Sequence, residues 1–130
     1  MLKNEDIQCV ILAGGKGSRL DGKGKYSQIL CNKTLLEHVF NRLSSQTSKV
    51  AVNLHNSKPN INKNFPLVLD KFKDDIGPLA GIHASMSYCI ENFSETKLVI
   101  TVPVDTPFLP LDLIIRLQKK INSSTADVVV

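Results

Sequence analysis

The chain has 130 residues, of which 42% are hydrophobic and 22% charged, a composition typical of one soluble globular domain over residues 1–130. Its formal net charge of +4 favours an anionic ligand, but no basic run or aromatic ladder indicates binding to nucleic acid. The three cysteines are widely spaced and no long apolar segment follows the N-terminus, so we expect no zinc site, disulfide, signal peptide or membrane span, and we predict a cytoplasmic location.

The first predicted element is a buried strand at residues 7–13, and a glycine-rich, cationic loop at residues 14–25 follows it directly. Glycines let backbone N–H groups approach an anion closely, because no Cβ stands in the way. Arg19, Lys23 and Lys25 add positive charge, Arg as a planar fork and Lys as a point charge. A strand that opens into such a loop predicts a phosphate-binding site.

Two common phosphate-binding motifs nearly match this loop, and each fails at one position. The match to GxxxxGK[ST] ends at Gly24, where a hydroxyl residue should contact Mg²⁺. The match to GxGxxG ends at Leu20, which replaces the third glycine. We therefore exclude both motifs and expect a different kind of phosphate loop.

Helices and strands alternate after the loop. Thr34 and Glu37 have the spacing of a capping box, which predicts a helix that begins at residue 35 and ends near residues 44–47. Apolar runs predict strands at residues 49–54 and 66–69.

A second long helix is predicted to begin at Gly77, with Pro78 in its first turn. Gly77 and Gly81 lie where the N-terminus of this helix would meet a ligand, and small residues there allow close approach. Helical spacing predicts one buried apolar stripe, which comprises Leu79, Ile82, His83, Met86, Ile90 and Phe93.

The last part of the chain repeats this alternation. A near-continuous apolar run at residues 97–104 predicts a strand that is buried on both faces of a parallel sheet. Asp105 follows at its carboxyl end, where a carboxylate beside a phosphate loop is a natural ligand for Mg²⁺. A third amphipathic helix is predicted at residues 111–121, and a further strand at residues 126–130.

This order of elements predicts an α/β fold, a three-layer α/β/α sandwich with a mostly parallel sheet. Ligands of such folds lie beyond the carboxyl ends of the strands. The loop at residues 14–25, Asn53, Asp70 and Asp105 each follow a predicted strand, so we expect them to meet at one edge of the sheet. Their convergence indicates a functional site more strongly than any single motif does.

Four segments together resemble the molybdenum cofactor guanylyltransferases, which are nucleotidyltransferases with a Rossmann-like fold. The more specific matches are GPLAG at residues 77–81 and DTPFLP at residues 105–110, whereas LAGG at residues 12–15 is shared by many nucleotidyltransferases. Asn53 and Asp70 complete the resemblance. It implies that GMP is transferred from GTP to molybdopterin and that pyrophosphate is released.

The resemblance also implies roles for individual residues. Lys25, together with Arg19, would neutralise phosphate charge during the transfer, and Asp105 would bind Mg²⁺ together with the triphosphate. Asn53 and Asp70 would hold the guanosine, since a carboxylate can accept from the ring N–H and the exocyclic amine of guanine at once. The implied GTP-binding residues are Leu12, Ala13, Gly14, Gly15, Lys25, Asn53, Asp70 and Asp105.

Two differences from the family leave alternatives open. Gly24 replaces the Asp that usually precedes the loop lysine, so Lys23 is the alternative to Lys25. The family continues beyond the length of this chain, so we expect its C-terminal part to be lacking here. The open alternatives are a fragment, a truncated gene product, or a site that a partner completes, either a second copy in a homo-oligomer or a molybdopterin-delivering protein. The alternative functions are a related transferase that uses CTP or a sugar phosphate, and a non-catalytic GTP-binding homologue.

Overall fold

Strands and helices alternate along the chain, and the computed structural model describes residues 2–14, 24–55, 65–72 and 77–130. The strands are β1 (Ile7–Leu12), β2 (Ile29–Leu30), β3 (Lys33–Thr34), β4 (Val50–Leu54), β5 (Leu67–Leu69) and β6 (Leu98–Pro103). The helices are α1 (Leu35–Ser44), α2 (Pro78–Asn92) and α3 (Leu113–Asn122), with short 3₁₀ turns at Asn4–Asp6 and Lys25–Ser27.

The main sheet has the strand order β5-β4-β1-β6. Each neighbouring pair is parallel, with Leu12 beside Asn53 of β4 and Pro103 of β6. The carboxyl ends of all these strands therefore meet at one edge, as predicted. β2 and β3 form a separate antiparallel hairpin.

Two apolar clusters cover the two faces of this sheet. On one face, α1 and α3 pack against β1, β4 and β6, with Leu36 and Ile114 among the buried contacts. On the other face, α2 packs through Ala84 against Val10, Ala51 and Val68. This arrangement confirms the predicted three-layer α/β/α sandwich.

The predicted buried stripe of α2 is wrong for most of its members. Leu79, His83, Met86 and Ile90 are exposed, and Ile82 and Phe93 are only half-buried. The sheet instead receives the small residues of the helix, which are Ala80, Gly81, Ala84, Ser85 and Cys89. Small side chains let a helix pack closely on a sheet, and hydrophobicity alone could not distinguish the two faces.

Two predictions about strands near the end of the chain are also wrong. β6 is not buried on both faces: Ile100 and Val102 are buried, whereas the residues between and beside them are half-buried or exposed. Within the described residues, β6 has a neighbouring strand on only one side. Residues 126–130 form no strand, because none of the described strands pairs with their backbone groups.

Local sequence signals placed the helix starts well. Thr34 accepts a hydrogen bond from the backbone N–H of Glu37, and the Glu37 carboxylate accepts from the backbone N–H of Thr34, as in the predicted capping box. Gly77 precedes α2 with a φ of 77°, and Pro78 occupies its first turn. No helix in the described ranges has the length and apolar content that would let it span a membrane.

Candidate active site

The end of β1 is the midpoint of the site, because it forms backbone hydrogen bonds with both neighbouring strands. The N–H of Ala13 donates to the carbonyl of Asn53 at 2.9 Å, and the N–H of Val104 donates to the carbonyl of Leu12 at 3.1 Å. Gly14 follows directly. These bonds fix the end of β1 between Asn53 on one side and Asp105 on the other.

On the β4 side, Asn53 is buried with 2% of its surface exposed. Its side-chain Nδ2 donates to the carbonyl of Val68 at 3.0 Å and to Oδ1 of Asp70 at 2.8 Å. The other carboxylate oxygen of Asp70, Oδ2, lies 3.2 Å from Nδ1 of His55. Asn53 and Asp70, predicted from separate segments, are therefore in direct contact.

Two glycines give the Asn53 side chain its space. A Cβ on Gly81 would lie 2.5 Å from Oδ1 of Asn53, and a Cβ on Gly14 would lie 3.0 Å from the backbone nitrogen of His55. Real Cβ atoms do not approach other atoms to 2.5 Å, so a larger residue at position 81 requires Asn53 to move. Gly81 was predicted to approach a ligand; in the structure it is buried in α2 beneath the Asn53 side chain.

On the β6 side, Nζ of Lys25 lies 3.7 Å from Oδ2 of Asp105, and about half of each side chain is exposed. Lys25 begins a 3₁₀ turn that follows Gly24, whose φ is 77°. A Cβ on Gly24 would lie 2.7 Å from the ring of Tyr26. Both the positive φ and the close ring favour glycine at position 24.

The loop that follows Asp105 is held by two side chains of the segment around α1. Arg42 donates to the carbonyl of Leu109 at 2.9 Å, and Gln46 donates to the carbonyl of Pro110 at 3.0 Å. Gln46 also accepts from the backbone N–H of Ile114, in the first turn of α3. The segment that carries Asp105 is thus anchored at its far end, at residues 109–114.

The structure brings together most of the predicted site residues that it describes. Leu12, Ala13 and Gly14 lie between the Asn53–Asp70 pair and the Lys25–Asp105 pair. Gly15, Arg19 and Lys23, which were also predicted to act in the loop, lie outside the described residues.

Sequence reasoning missed His55, Arg42 and Gln46. His55 could have been found from strand periodicity, since residues two apart on one strand share a face and Asn53 is already a candidate. Arg42 and Gln46 act through long-range contacts to backbone carbonyls near residue 110, which no local pattern reveals.

Asp105 is the described carboxylate best placed for a divalent metal. Within the ranges that the structure describes, no group of three or more His, Cys, Asp or Glu side chains could hold a metal ion. Mg²⁺, however, is commonly bound by one or two carboxylates together with substrate phosphates and water. An exposed carboxylate beside a lysine fits that kind of shared site, and does not fit a site made by protein groups alone.

A parallel α/β/α sandwich with a glycine, an asparagine, a lysine and a carboxylate at its carboxyl edge has the features typical of nucleotide-using transferases. The comparison with family models gives the same result. Residues 9–130 match the MobA-like NTP transferase domain, and the chain belongs to this family.

The chain is also similar to individual proteins. It is 37% identical to the molybdenum cofactor guanylyltransferase of Cupriavidus metallidurans, over 100% of this chain and 62% of that protein. It is 42% identical to the protein of the same name from Rhizobium johnstonii, over 93% of this chain and 55% of that protein. The chain therefore spans about three-fifths of the length of these curated relatives.

A solved structure supports the fold. The molybdopterin-guanine dinucleotide biosynthesis protein A of Archaeoglobus fulgidus superimposes with a TM-score of 0.70 at 23% identity. The match covers 92% of this chain and 58% of that protein. At this identity the likeness confirms the predicted fold and extends no further.

Proposed function

We propose that the chain binds GTP and transfers its GMP group to molybdopterin, forming a guanine dinucleotide cofactor and releasing pyrophosphate. The names of the curated relatives support this reaction. The observation that carries the proposal is the position of Lys25 and Asp105, whose charged atoms lie 3.7 Å apart at the carboxyl edge of the sheet. The cysteines, all free thiols, agree with a cytoplasmic location for this activity.

The site has two sides with different chemistry. Lys25 and Asp105 form the phosphate side, and Asn53 and Asp70 form the nucleoside side, with the backbone of residues 12–14 between them. Arg19 and Gly15 are further candidates for the phosphate side.

The transfer needs no nucleophile from the protein. A phosphate oxygen of molybdopterin forms a bond to the α-phosphorus of GTP, and the bond from that phosphorus to the bridging oxygen of pyrophosphate breaks. Negative charge grows on the leaving pyrophosphate, and the ammonium of Lys25 stabilises it electrostatically. Asp105 would hold Mg²⁺, which would supply further positive charge beside the triphosphate.

Ligand-dependent stability tests the nucleotide. A ligand that binds only the folded state at about 100 times its Kd stabilises it by about 2.7 kcal/mol. For a domain of this size the melting temperature should rise by about 10 °C. We expect this rise with GTP and Mg²⁺ and a smaller one with CTP and Mg²⁺; a larger rise with CTP would exclude the guanine assignment.

Product formation tests the reaction. We expect release of pyrophosphate that requires both GTP and molybdopterin. Binding of GTP without release of pyrophosphate would instead support the non-catalytic alternative. Release only after addition of a partner protein or formation of an oligomer would assign completion of the site to that partner.

The role of Asp105 is tested by Asp105→Asn, which removes the charge and keeps the shape. The fold should be retained, because the Asp105 side chain is half-exposed, and stimulation by Mg²⁺ should be lost. Asp112→Asn, which breaks a surface ion pair with Arg116, is the matched control. Unchanged Mg²⁺ dependence in Asp105→Asn would remove Asp105 from the site.

A further inference from the structure

We propose that Thr106 and Arg42 are positioning residues for the carboxylate of Asp105: together they hold the turn that carries it in the orientation that Mg²⁺ requires. The inference rests on the proposed function, since it assumes that Asp105 binds Mg²⁺ together with the triphosphate. It goes beyond that function, because neither positioning residue needs to touch the nucleotide or the metal.

The contact between Asp105 and Lys25 does little to fix the carboxylate. Nζ of Lys25 lies 3.7 Å from Oδ2 of Asp105, which is longer than a hydrogen bond, and about half of each side chain is exposed. Mg²⁺ demands near-octahedral ligands at about 2.0–2.1 Å, so a carboxylate that is displaced binds it less well. The position of the carboxylate therefore depends on the backbone on either side of it.

The backbone before Asp105 is joined to the sheet. Pro103 is the last residue of β6 and lies beside Leu12 of β1, and the N–H of Val104 donates to the carbonyl of Leu12 at 3.1 Å. The hydroxyl of Thr106 reaches back past Asp105 and donates to the carbonyl of Pro103 at 2.7 Å. Asp105 thus lies in a short turn whose two ends are joined by the Thr106 side chain.

The backbone after Asp105 is joined to α1. The carbonyl of Thr106 accepts from the N–H of Leu109 at 3.2 Å, and the carbonyl of Leu109 accepts from Nη1 of Arg42 at 2.9 Å. Leu109 is buried, with 6% of its surface exposed, and a hydrogen bond from a charged donor is stronger than a neutral one. The contacts therefore run from Arg42 through Leu109 to Thr106, the residue next to Asp105.

A purely structural role for these bonds predicts a different result from a positioning role. If the bonds only stabilise the fold, their loss lowers the free energy of unfolding and leaves a folded variant with unchanged affinities. If they position Asp105, their loss weakens only the binding that depends on the metal. We define the Mg²⁺ enhancement as the Kd of GTP without Mg²⁺ divided by its Kd with Mg²⁺, because this ratio isolates the metal-dependent part.

Thr106→Val removes the hydroxyl and keeps the shape of the side chain. Calorimetry on the full chain should give an Mg²⁺ enhancement about fivefold smaller than that of the unchanged chain, the usual effect of losing one hydrogen bond, with an unchanged Kd without Mg²⁺. Thr106→Ser keeps the hydroxyl and should restore the enhancement. Ser123→Ala is the matched control and should change neither Kd, because the Ser123 hydroxyl also donates to a carbonyl three residues earlier, that of Lys120, at the end of α3.

Arg42→Met tests the second anchor. It removes the donor to the carbonyl of Leu109 and keeps an unbranched apolar side chain. We expect the Mg²⁺ enhancement to fall by about threefold, less than in Thr106→Val, because Arg42 acts on the turn through Leu109. Arg116→Met, which removes an exposed arginine that pairs with Asp112, is the control and should leave the enhancement unchanged.

Hydrogen exchange tests the turn without any ligand. The N–H of Leu109, which donates to the carbonyl of Thr106, should exchange about fivefold faster in Thr106→Val than in the unchanged chain. The N–H of Ala13, which donates to Asn53 at the end of β1, should keep its rate. Unaltered exchange at Leu109 in a folded Thr106→Val would show that the hydroxyl does not hold the turn, and the inference would be wrong.

The outcomes separate this inference from the proposed function. An equal Mg²⁺ enhancement in the unchanged chain and in a folded Thr106→Val would overturn the inference and leave the proposed function intact. If the unchanged chain binds no GTP, or binds it equally with and without Mg²⁺, the proposed role of Asp105 fails and the inference fails with it. Should Thr106→Val not fold, the comparison between Arg42→Met and Arg116→Met decides.

Discussion

Lys25 lies where a single charge can affect the proposed transfer without supporting the fold. Its ion pair with Asp105 is half-exposed at 3.7 Å, and exposed pairs contribute about 0–1 kcal/mol to stability. The same charge next to a leaving pyrophosphate would contribute much more to stabilising the transition state, because the bound substrate then closes the site to water.

The Lys25→Ala variant should therefore lose activity and keep stability. We expect turnover to fall by about a hundredfold, as loss of a transition-state donor often does, with little change in melting temperature. Lys33→Ala, an exposed lysine in the β2–β3 hairpin, is the control and should keep full activity. If Lys23→Ala is damaging and Lys25→Ala is not, the position of the catalytic lysine is assigned wrongly.

Gly81 affects the site only by leaving room for the side chains of neighbouring residues. A Cβ there would lie 2.5 Å from Oδ1 of Asn53 and 3.1 Å from Cδ2 of Leu12. Alanine is favoured over glycine in a helix by about 1 kcal/mol, which opposes the cost of the displaced side chain.

We predict that Gly81→Ala lowers nucleotide affinity about tenfold while the free energy of unfolding changes by no more than about 1 kcal/mol. Met86→Ala, on the exposed face of the same helix, is the control and should leave affinity unchanged. Unaltered affinity in Gly81→Ala would mean that the Asn53 oxygen is free to move without loss.

At the scale of elements, local chemistry determined what could be predicted. The capping box of Thr34 and Glu37 placed the start of α1, and the apolar runs placed β1 and β4, because these signals depend on neighbours in sequence. The orientation of α2 depends on how closely it packs on the sheet, which residues such as Leu79 and Ile90 do not reveal. The absent strand at 126–130 depends on a pairing partner, which lies outside any local pattern.

The same reasoning applies to the site. Asn53, Asp70 and Asp105 could be predicted because each follows an apolar run that forms a strand. The contact between Asn53 and Asp70 could not, because it requires the register of β4 against β5, in which Asn53 lies beside Val68. The contact between His55 and Asp70 depends on that same register.

The capping box gives a prediction about α1. Removing the Thr34 hydroxyl in Thr34→Ala leaves the N–H of Glu37 without its partner at 3.1 Å and should lower the free energy of unfolding by about 1 kcal/mol. Ser45→Ala, just after the same helix, removes only an exposed hydrogen bond to Arg42 and should have a smaller effect. Denaturant unfolding measures both; equal effects would contradict a special role for the cap.

At the scale of the whole molecule, the reactivity of the cysteines depends on whether the chain is folded. Cys9 and Cys89 are buried, whereas Cys31 is exposed in the hairpin turn. Burial raises the pKa of Cys9 to about 12 and also raises the pKa of Cys89. Only the thiolate reacts, so Cys9 in the folded chain has both little access and little reactive form at neutral pH.

We therefore expect a thiol reagent at pH 8 to label Cys31 rapidly and Cys9 only after unfolding. GTP and Mg²⁺ at about 100 times the Kd should slow labelling of Cys9 by about a hundredfold, because a ligand of the folded state lowers the unfolded population by that factor. Labelling of Cys31 is the internal control and should not change. Equal slowing at both cysteines would indicate an effect of the nucleotide on the reagent.

The neighbours of β1 carry different parts of the proposed chemistry. The residues proposed to hold the nucleoside belong to the segments of β4 and β5, and the residues proposed to hold the phosphates belong to the 3₁₀ turn and the segment after β6. Backbone hydrogen bonds at Leu12 and Ala13 join the two groups, and no side-chain bond between them is needed. Base preference and transfer chemistry can therefore be altered separately: substitutions around residues 53–70 should redirect such a domain to another nucleotide while its catalytic rate on the bound substrate is kept.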